Sequence, residues 1–261
     1  MSEKSEALPI APDRKPATRR RAILLAIFIL IVTTAAYIPA MRAGFIWDDE
    51  LLLTKLPLMR SSDGLQRIWL TREAPDYWPL TYSTFWIGRR IWGAHPGPYH
   101  VVNILLHAAS AVVLWRVLKR LKIPGALLAA LVFGVHPVTV ASVAWISELK
   151  NVLSMLLYLL TILAYVRFED EGNPRWSTAA VLLFAAALLA KTSAVMLPFV
   201  LLLLAWWRRG RIGRTDIRRT VPFFAVSLVL GLVTVWFQYG HLAGPEAARP
   251  EGLFSRVAAA G

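Results

Sequence analysis

Two adjacent carboxylates, Asp48 and Asp49, stand between Trp47 and the run Glu50-Leu51-Leu52-Leu53. Apolar neighbours raise a carboxyl pKa by desolvation, and a carboxylate held there can act as general base toward a hydroxyl or amide nucleophile. The plainer reading is a solvated acidic loop. A second set is His100, Asn103 and His107, whose offsets of three, four and seven place them on one face of a helix. Polar groups inside an apolar helix are expensive, so they either line a cavity or bond to neighbouring helices. A third set, His136, Glu148, Lys150 and Lys191, lies at the ends of apolar runs. Lys150, Lys191, Arg89 and Arg90 could hold a phosphate, arginine in a bidentate manner. Three histidines also leave a divalent metal open as a cofactor, although no HExxH pair is present.

These residues need a scaffold, and composition says what kind. Of the 261 residues 57% are hydrophobic, and 11 are Trp. Mean hydropathy is +0.52. A soluble domain does not need that much apolar surface, so an all-α polytopic membrane protein is expected. The net charge of +13 does not point to nucleic acid, because the cations fall in short segments between apolar runs. There they would orient helices and meet lipid headgroups. No cysteine is present, which removes disulfides and thiolate metal sites.

Seven apolar segments follow one another, at about 22–40, 99–118, 125–141, 149–167, 177–190, 194–207 and 221–239. The fifth and sixth are short for complete spans. Residues 1–21, with Pro9, Pro12 and Pro16, read as a disordered basic cytoplasmic tail ahead of an uncleaved anchor. With the N-terminus inside, the tail and the inner turns collect 18 of the 29 Lys and Arg residues. Residues 41–98 then form an outward loop, in which 65–70 and 82–92 read as interfacial helices. Residues 241–261 read as a further outward loop, cut before more spans. This topology gathers Asp48, Asp49, His100, His107, His136, Glu148, Lys150 and Lys191 in the outer half of the membrane. An outward-facing polar cavity, apolar below, is the expected result, and a lipid-linked phosphate would suit it.

Several ordered segments resemble a known family. They are Phe45-Ile46-Trp47-Asp48-Asp49-Glu50, Trp78-Pro79-Leu80, Tyr99 to Ala108, Phe133 to Val138, Ser142 to Leu153, and Ala190 to Pro198. The set resembles the transmembrane-and-tetratricopeptide-repeat protein O-mannosyltransferases and their bacterial relatives, members of the GT-C superfamily of glycosyltransferases. The resemblance covers residues 22 to about 240. It implies a GT-C-like domain at 22–240 and inverting transfer of a sugar, typically mannose. The donor would be a polyprenyl-phosphate sugar, and the acceptor a hydroxyl, that of protein Ser or Thr. The acidic residue of the first outward loop would activate the acceptor, a role that maps onto Asp48 or Asp49. Lys150 and Lys191 would stabilise the phosphate leaving group, with His100 and His136 assisting. Two positions depart from the family pattern: Leu149 and Trp78 stand where relatives carry cationic residues. The site would face the periplasm or exterior, or the endoplasmic reticulum lumen in a eukaryote. The tetratricopeptide repeats of the family are not among these residues, so the chain alone could be inactive.

Two other classes compete. A transporter would put polar residues in the inner halves of the spans, and those halves are almost purely Leu, Val and Ala. A non-catalytic anchor for a repeat domain would leave the acidic triplet and the histidine face without a purpose.

Overall fold

The computed structural model describes residues 15–242, all of whose regular structure is helical. Expectations for residues 1–14 and 243–261 lie outside the described residues. Helix α1 (Lys15–Ala36) is followed by a 3-10 turn at Ile38–Arg42. The loop after it holds a π-helical turn at Glu50–Lys55 and the short helices α2 (Gly64–Leu70) and α3 (Pro79–Trp92). Next come α4 (Pro96–Arg120), α5 (Ala126–Val135), α6 (Val140–Ala144), α7 (Leu149–Glu171) and α8 (Pro174–Ala190). Helices α9 (Leu197–Arg209) and α10 (Arg214–Leu242) complete the described chain.

Local sequence explains most of these boundaries. Pro79, Pro96 and Pro174 open their helices at positions where no backbone N–H is needed. Helix α7 ends at Gly172, whose left-handed φ of 67° closes the last turn without a Cβ penalty. Helix α1 starts at Lys15, earlier than the expected tail boundary at residue 21, because no breaker follows Pro16 at its N-terminus.

Among the described residues, four helical segments are long and apolar enough to cross a membrane: Pro96–Arg120, Ile146–Glu171, Thr192–Arg209 and Arg214–Tyr239. The expected run 125–141 is not one straight helix. It is α5 and the Pro137–Ala144 segment, bent by 48° at His136-Pro137, and the pair makes a fifth span if taken together. Proline at 137 removes a helix donor and clashes with the preceding turn, so the break falls where the sequence dictates. Helix α8 is apolar and 17 residues long.

Alanines let the closest helix pair approach, while many large apolar side chains face outward. Helices α7 and α8 make the most extensive pair, with Ala164, Ala180, Ala187 and Ala190 buried between neighbours. Leu128, Leu182, Leu203 and Leu232 stay about 60% exposed or more. So much outward apolar surface suits lipid and would be ruinous in water. The chain is a multi-pass integral membrane protein.

One buried cluster joins the loop after α1 to α3, α4 and α7, through Leu53, Met59, Tyr82, Phe85, Ile104 and Ile146. The 41–98 loop is therefore packed onto the bundle rather than loose. A second cluster unites α7 to α10 around Tyr165, Phe184, Leu197 and Phe223.

Candidate active site

The acidic pair occupies an unusual stretch of backbone. Trp47 adopts φ +44°, a left-handed conformation costly for a bulky residue, by roughly 1 kcal/mol or more. Its ring meets Trp145 edge-on at 5.4 Å. The rare π-helical turn begins directly after Asp49.

Asp48 and Asp49 then separate completely. Asp49 is fully buried, and its two carboxylate oxygens accept backbone N–H bonds from Ile46 at 3.1 Å and Ser147 at 2.6 Å. Burial pushes its carboxyl above the usual range, and the N–H bonds pull it partly back. Asp48 is exposed and has no ion pair among the described residues. Its charge and that of Asp76 both add to burial in pushing the Tyr82 phenol up, so all three share one neighbourhood.

The histidine face is buried as its spacing implied, yet none of its three residues lines the cavity at Lys191. His100 Nε2 donates to Ala43 O at 3.2 Å, and His107 Nε2 donates to Gly134 O at 3.1 Å. A carbonyl oxygen can only accept, so both rings carry their proton on Nε2. Asn103 Nδ2 donates to Trp145 O at 2.9 Å. His100 and Asn103 thus fasten irregular segments to α4, and His107 fastens the last turn of α5. Glycine at 134 lets α5 approach α1 closely, because a Cβ there would collide with Thr33 Oγ1.

Glu148, Lys150 and Lys191 do come together. Lys150 Nζ lies 2.7 Å from Glu148 Oε1 and 5.5 Å over the Trp78 ring. Asn151 Nδ2 donates to Glu148, and Lys191 Nζ donates to Asn151 Oδ1. Lys191 sits in the turn between α8 and α9 and faces a cavity of about 400 Å³, with Ser142, Ser154, Tyr158 and Ser193 also on its walls. Burial holds the Lys191 ammonium below the usual lysine range, while Glu148 and Asp76 oppose that shift.

The remaining candidates stand apart. His136 is exposed, and its Nδ1 accepts from Val138 N at 3.1 Å, closing the 3-10 turn at the α5 break. Arg89 lies toward the far end of α3, with a buried Nη1 that has no hydrogen-bond partner among the described residues. The single cavity expected around eight residues is therefore narrower: of those eight, Lys191 alone is on its wall. Asp76, Tyr82 and Asn151 were not singled out from sequence. The proline-bounded Pro75-Asp76-Tyr77-Trp78-Pro79 at the start of α3 is the one signal that could have flagged Asp76. Among the described residues no group of three or more His, Asp or Glu could hold a metal ion.

Sequence comparison places this arrangement among known proteins. The family model described as dolichyl-phosphate-mannose-protein mannosyltransferase matches residues 75–239. A human protein O-mannosyl-transferase, TMTC4, is 34% identical over 202 residues, covering 64% of this chain and 27% of the relative. The protein O-mannosyl-transferase Tmtc2 of Drosophila melanogaster is 28% identical over 247 residues, or 85% of this chain and 26% of its own length. Human protein O-mannosyl-transferase TMTC3 is 28% identical over 171 residues, covering 61% of this chain and 19% of the relative. The chain thus spans about a fifth to a quarter of these relatives. No solved structure matches it. A match over residues 75–239, which is most of the bundle, establishes that the chain belongs to the GT-C-type dolichyl-phosphate-mannose-protein mannosyltransferase family.

Proposed function

We propose that this chain is the membrane domain of a glycosyltransferase that moves a sugar, mannose by family likeness, from a polyprenyl phosphate to a hydroxyl acceptor with inversion. In this reading residues 22–240 are the transmembrane domain, with seven crossings once α1 and α8 are counted. The arginine-rich turns are cytoplasmic, and the 41–98 loop lies outside with α2 and α3 in the interface. The acceptor is a protein Ser or Thr hydroxyl. The observation that carries the reading is the division of labour at the acidic pair, one carboxylate anchored and its neighbour free.

Asp48 is the general base. It takes the acceptor hydroxyl proton as that oxygen attacks the sugar anomeric carbon from the face opposite the phosphate. The bond from that carbon to the phosphate oxygen breaks, and its electron pair leaves on the phosphate. Lys191 supplies positive charge to the departing phosphate, and Lys150 supports it from the Glu148 pair. Asp49 is a positioning residue, since both its oxygens are already used. His100 and Asn103 hold segments next to these groups, and His107 ties α5 to the same helix, α4. The apolar rim of the cavity, Met155 and Ala194, suits a polyprenyl chain.

The test uses full-length protein in membranes, a radiolabelled polyprenyl-phosphate mannose and a Ser/Thr-rich peptide. Asp48→Asn is expected to lower transfer about 10²- to 10⁴-fold, the usual contribution of a general base. Transfer at the wild-type rate in this variant rules out Asp48 as the base.

A further inference from the structure

The opposite end of the bundle holds a second cavity, of about 370 Å³. It shares no lining residue with the Lys191 cavity, and Arg167 on its wall is sixteen residues beyond Asn151 on α7, about 24 Å along the helix axis. The cavity is therefore separate from the Lys191 site. Trp115 and Leu163 form its apolar surface, and Arg116, Lys119, Arg120 and Arg167 its polar one. Ala22 brings α1 to the same opening.

The charge here is not balanced. Arg120 is spent on Asp170 and Glu171, at 2.8 and 2.6 Å, and Asp170 is shared with Arg208. Arg116, Lys119 and Arg167 have no ion pair among the described residues. Lys119 Nζ lies 5.3 Å from the Trp115 ring centre, and the Arg167 guanidinium 4.5 Å from that of Trp176, contacts that leave full charge in place. Arg167 Nε is buried with no hydrogen-bond partner among the described residues. Cations closing a helix C-terminus would explain Lys119 and Arg120, in the last turn of α4. They would not explain Arg116, or a partnerless guanidinium nitrogen facing in from α7.

Beside the opening, α1 exposes Ile23, Leu24 and Ile27. We propose that this cavity binds the phosphate of an anionic phospholipid from the adjacent leaflet, with the acyl chains laid along that α1 face. Basic pockets between membrane helices recognise such headgroups, and the unpaired donors here match phosphate oxygens. The proposal depends on the bundle crossing a membrane and is independent of sugar transfer.

The experiment follows the thermal unfolding midpoint of the full-length protein in neutral detergent. Short-chain phosphatidylglycerol, short-chain phosphatidylcholine and inorganic phosphate are titrated separately. A saturable rise with phosphatidylglycerol alone is expected. Arg116→Gln with Lys119→Gln should weaken apparent affinity about 30-fold, taking each surface cation at its usual worth. Arg116→Gln alone, at an exposed position that folding tolerates, should weaken it about fivefold. The charge-matched control Arg214→Gln with Arg218→Gln should leave it unchanged. An equal rise with phosphatidylcholine or with inorganic phosphate overturns the lipid assignment. Equal loss in the control, or no rise with any probe, overturns the site.

Discussion

The two ends of the bundle treat their aspartates in opposite ways. At the arginine end, Glu169 meets Arg208 and Arg209, both at 2.9 Å, and Asp170 meets Arg120 and Arg208. Glu171 also meets Arg120, and Asp216 meets Arg209. Acids and arginines alternate across α4, α7, α9 and α10, so each carboxylate is answered by at least one guanidinium. At the aspartate end, a buried carboxylate is held by backbone amides alone, a second has no ion pair among the described residues, and a half-buried lysine bonds a neutral amide. The first end locks helices to one another. The second keeps the carboxylates of Asp48 and Asp49 out of any ion pair among the described residues, which the proposed transfer needs and which stability alone would not select.

The largest way to break this contrast is a crossed pair of variants. Asp48→Asn should abolish most transfer while leaving the thermal unfolding midpoint unchanged, because Asp48 is exposed and supports no other group. Loss of folding in that variant would mean that Asp48 too is structural. Asp49→Ala should do both kinds of damage. It strands two backbone N–H groups and costs about 3 kcal/mol, read as a lowered urea midpoint together with weak transfer. Arg208→Gln is the mirror image. It should cost about 2 kcal/mol by thermal unfolding, since Glu169 is nearly enclosed, and change transfer less than twofold. A tenfold loss of transfer there would join the two ends functionally.

The smallest effect is a pH limb. Burial places the Lys191 ammonium below the ordinary lysine range, so its charged form is lost earlier as pH rises. Donor KM should therefore climb on the alkaline side, below the usual lysine value of 10.5. Lys191→Arg should move that limb to still higher pH while preserving donor binding. An unshifted limb would remove Lys191 from the donor phosphate.

Much of the scaffold is legible in the sequence for simple reasons. Apolar runs of membrane length became helices α4, α7 and α10, and Pro137 announced the break after α5. The 3-4-7 spacing correctly put His100, Asn103 and His107 on one buried face. What that face touches was not legible, because its partners are the carbonyls of Ala43, Trp145 and Gly134, and every residue has a carbonyl. Convergence of polar residues at one level looked like a single cavity, and periodicity cannot distinguish a wall from a fastening. The difference between Asp48 and Asp49 was equally hidden. It depends on the Ser147 amide, 98 residues away in the chain.

That amide has an evolutionary consequence. Adjacent residues in an extended or turning backbone send their side chains in different directions, so the acid pair behaves as a reading frame. Shifting the frame by one residue would put Asp48 on the Ser147 amide and carry Trp47 into the outward position. Single insertions or deletions between Phe45 and Asp49 should therefore be far rarer than substitutions among descendants that keep the activity, and length, more than composition, should be the guarded property of this loop.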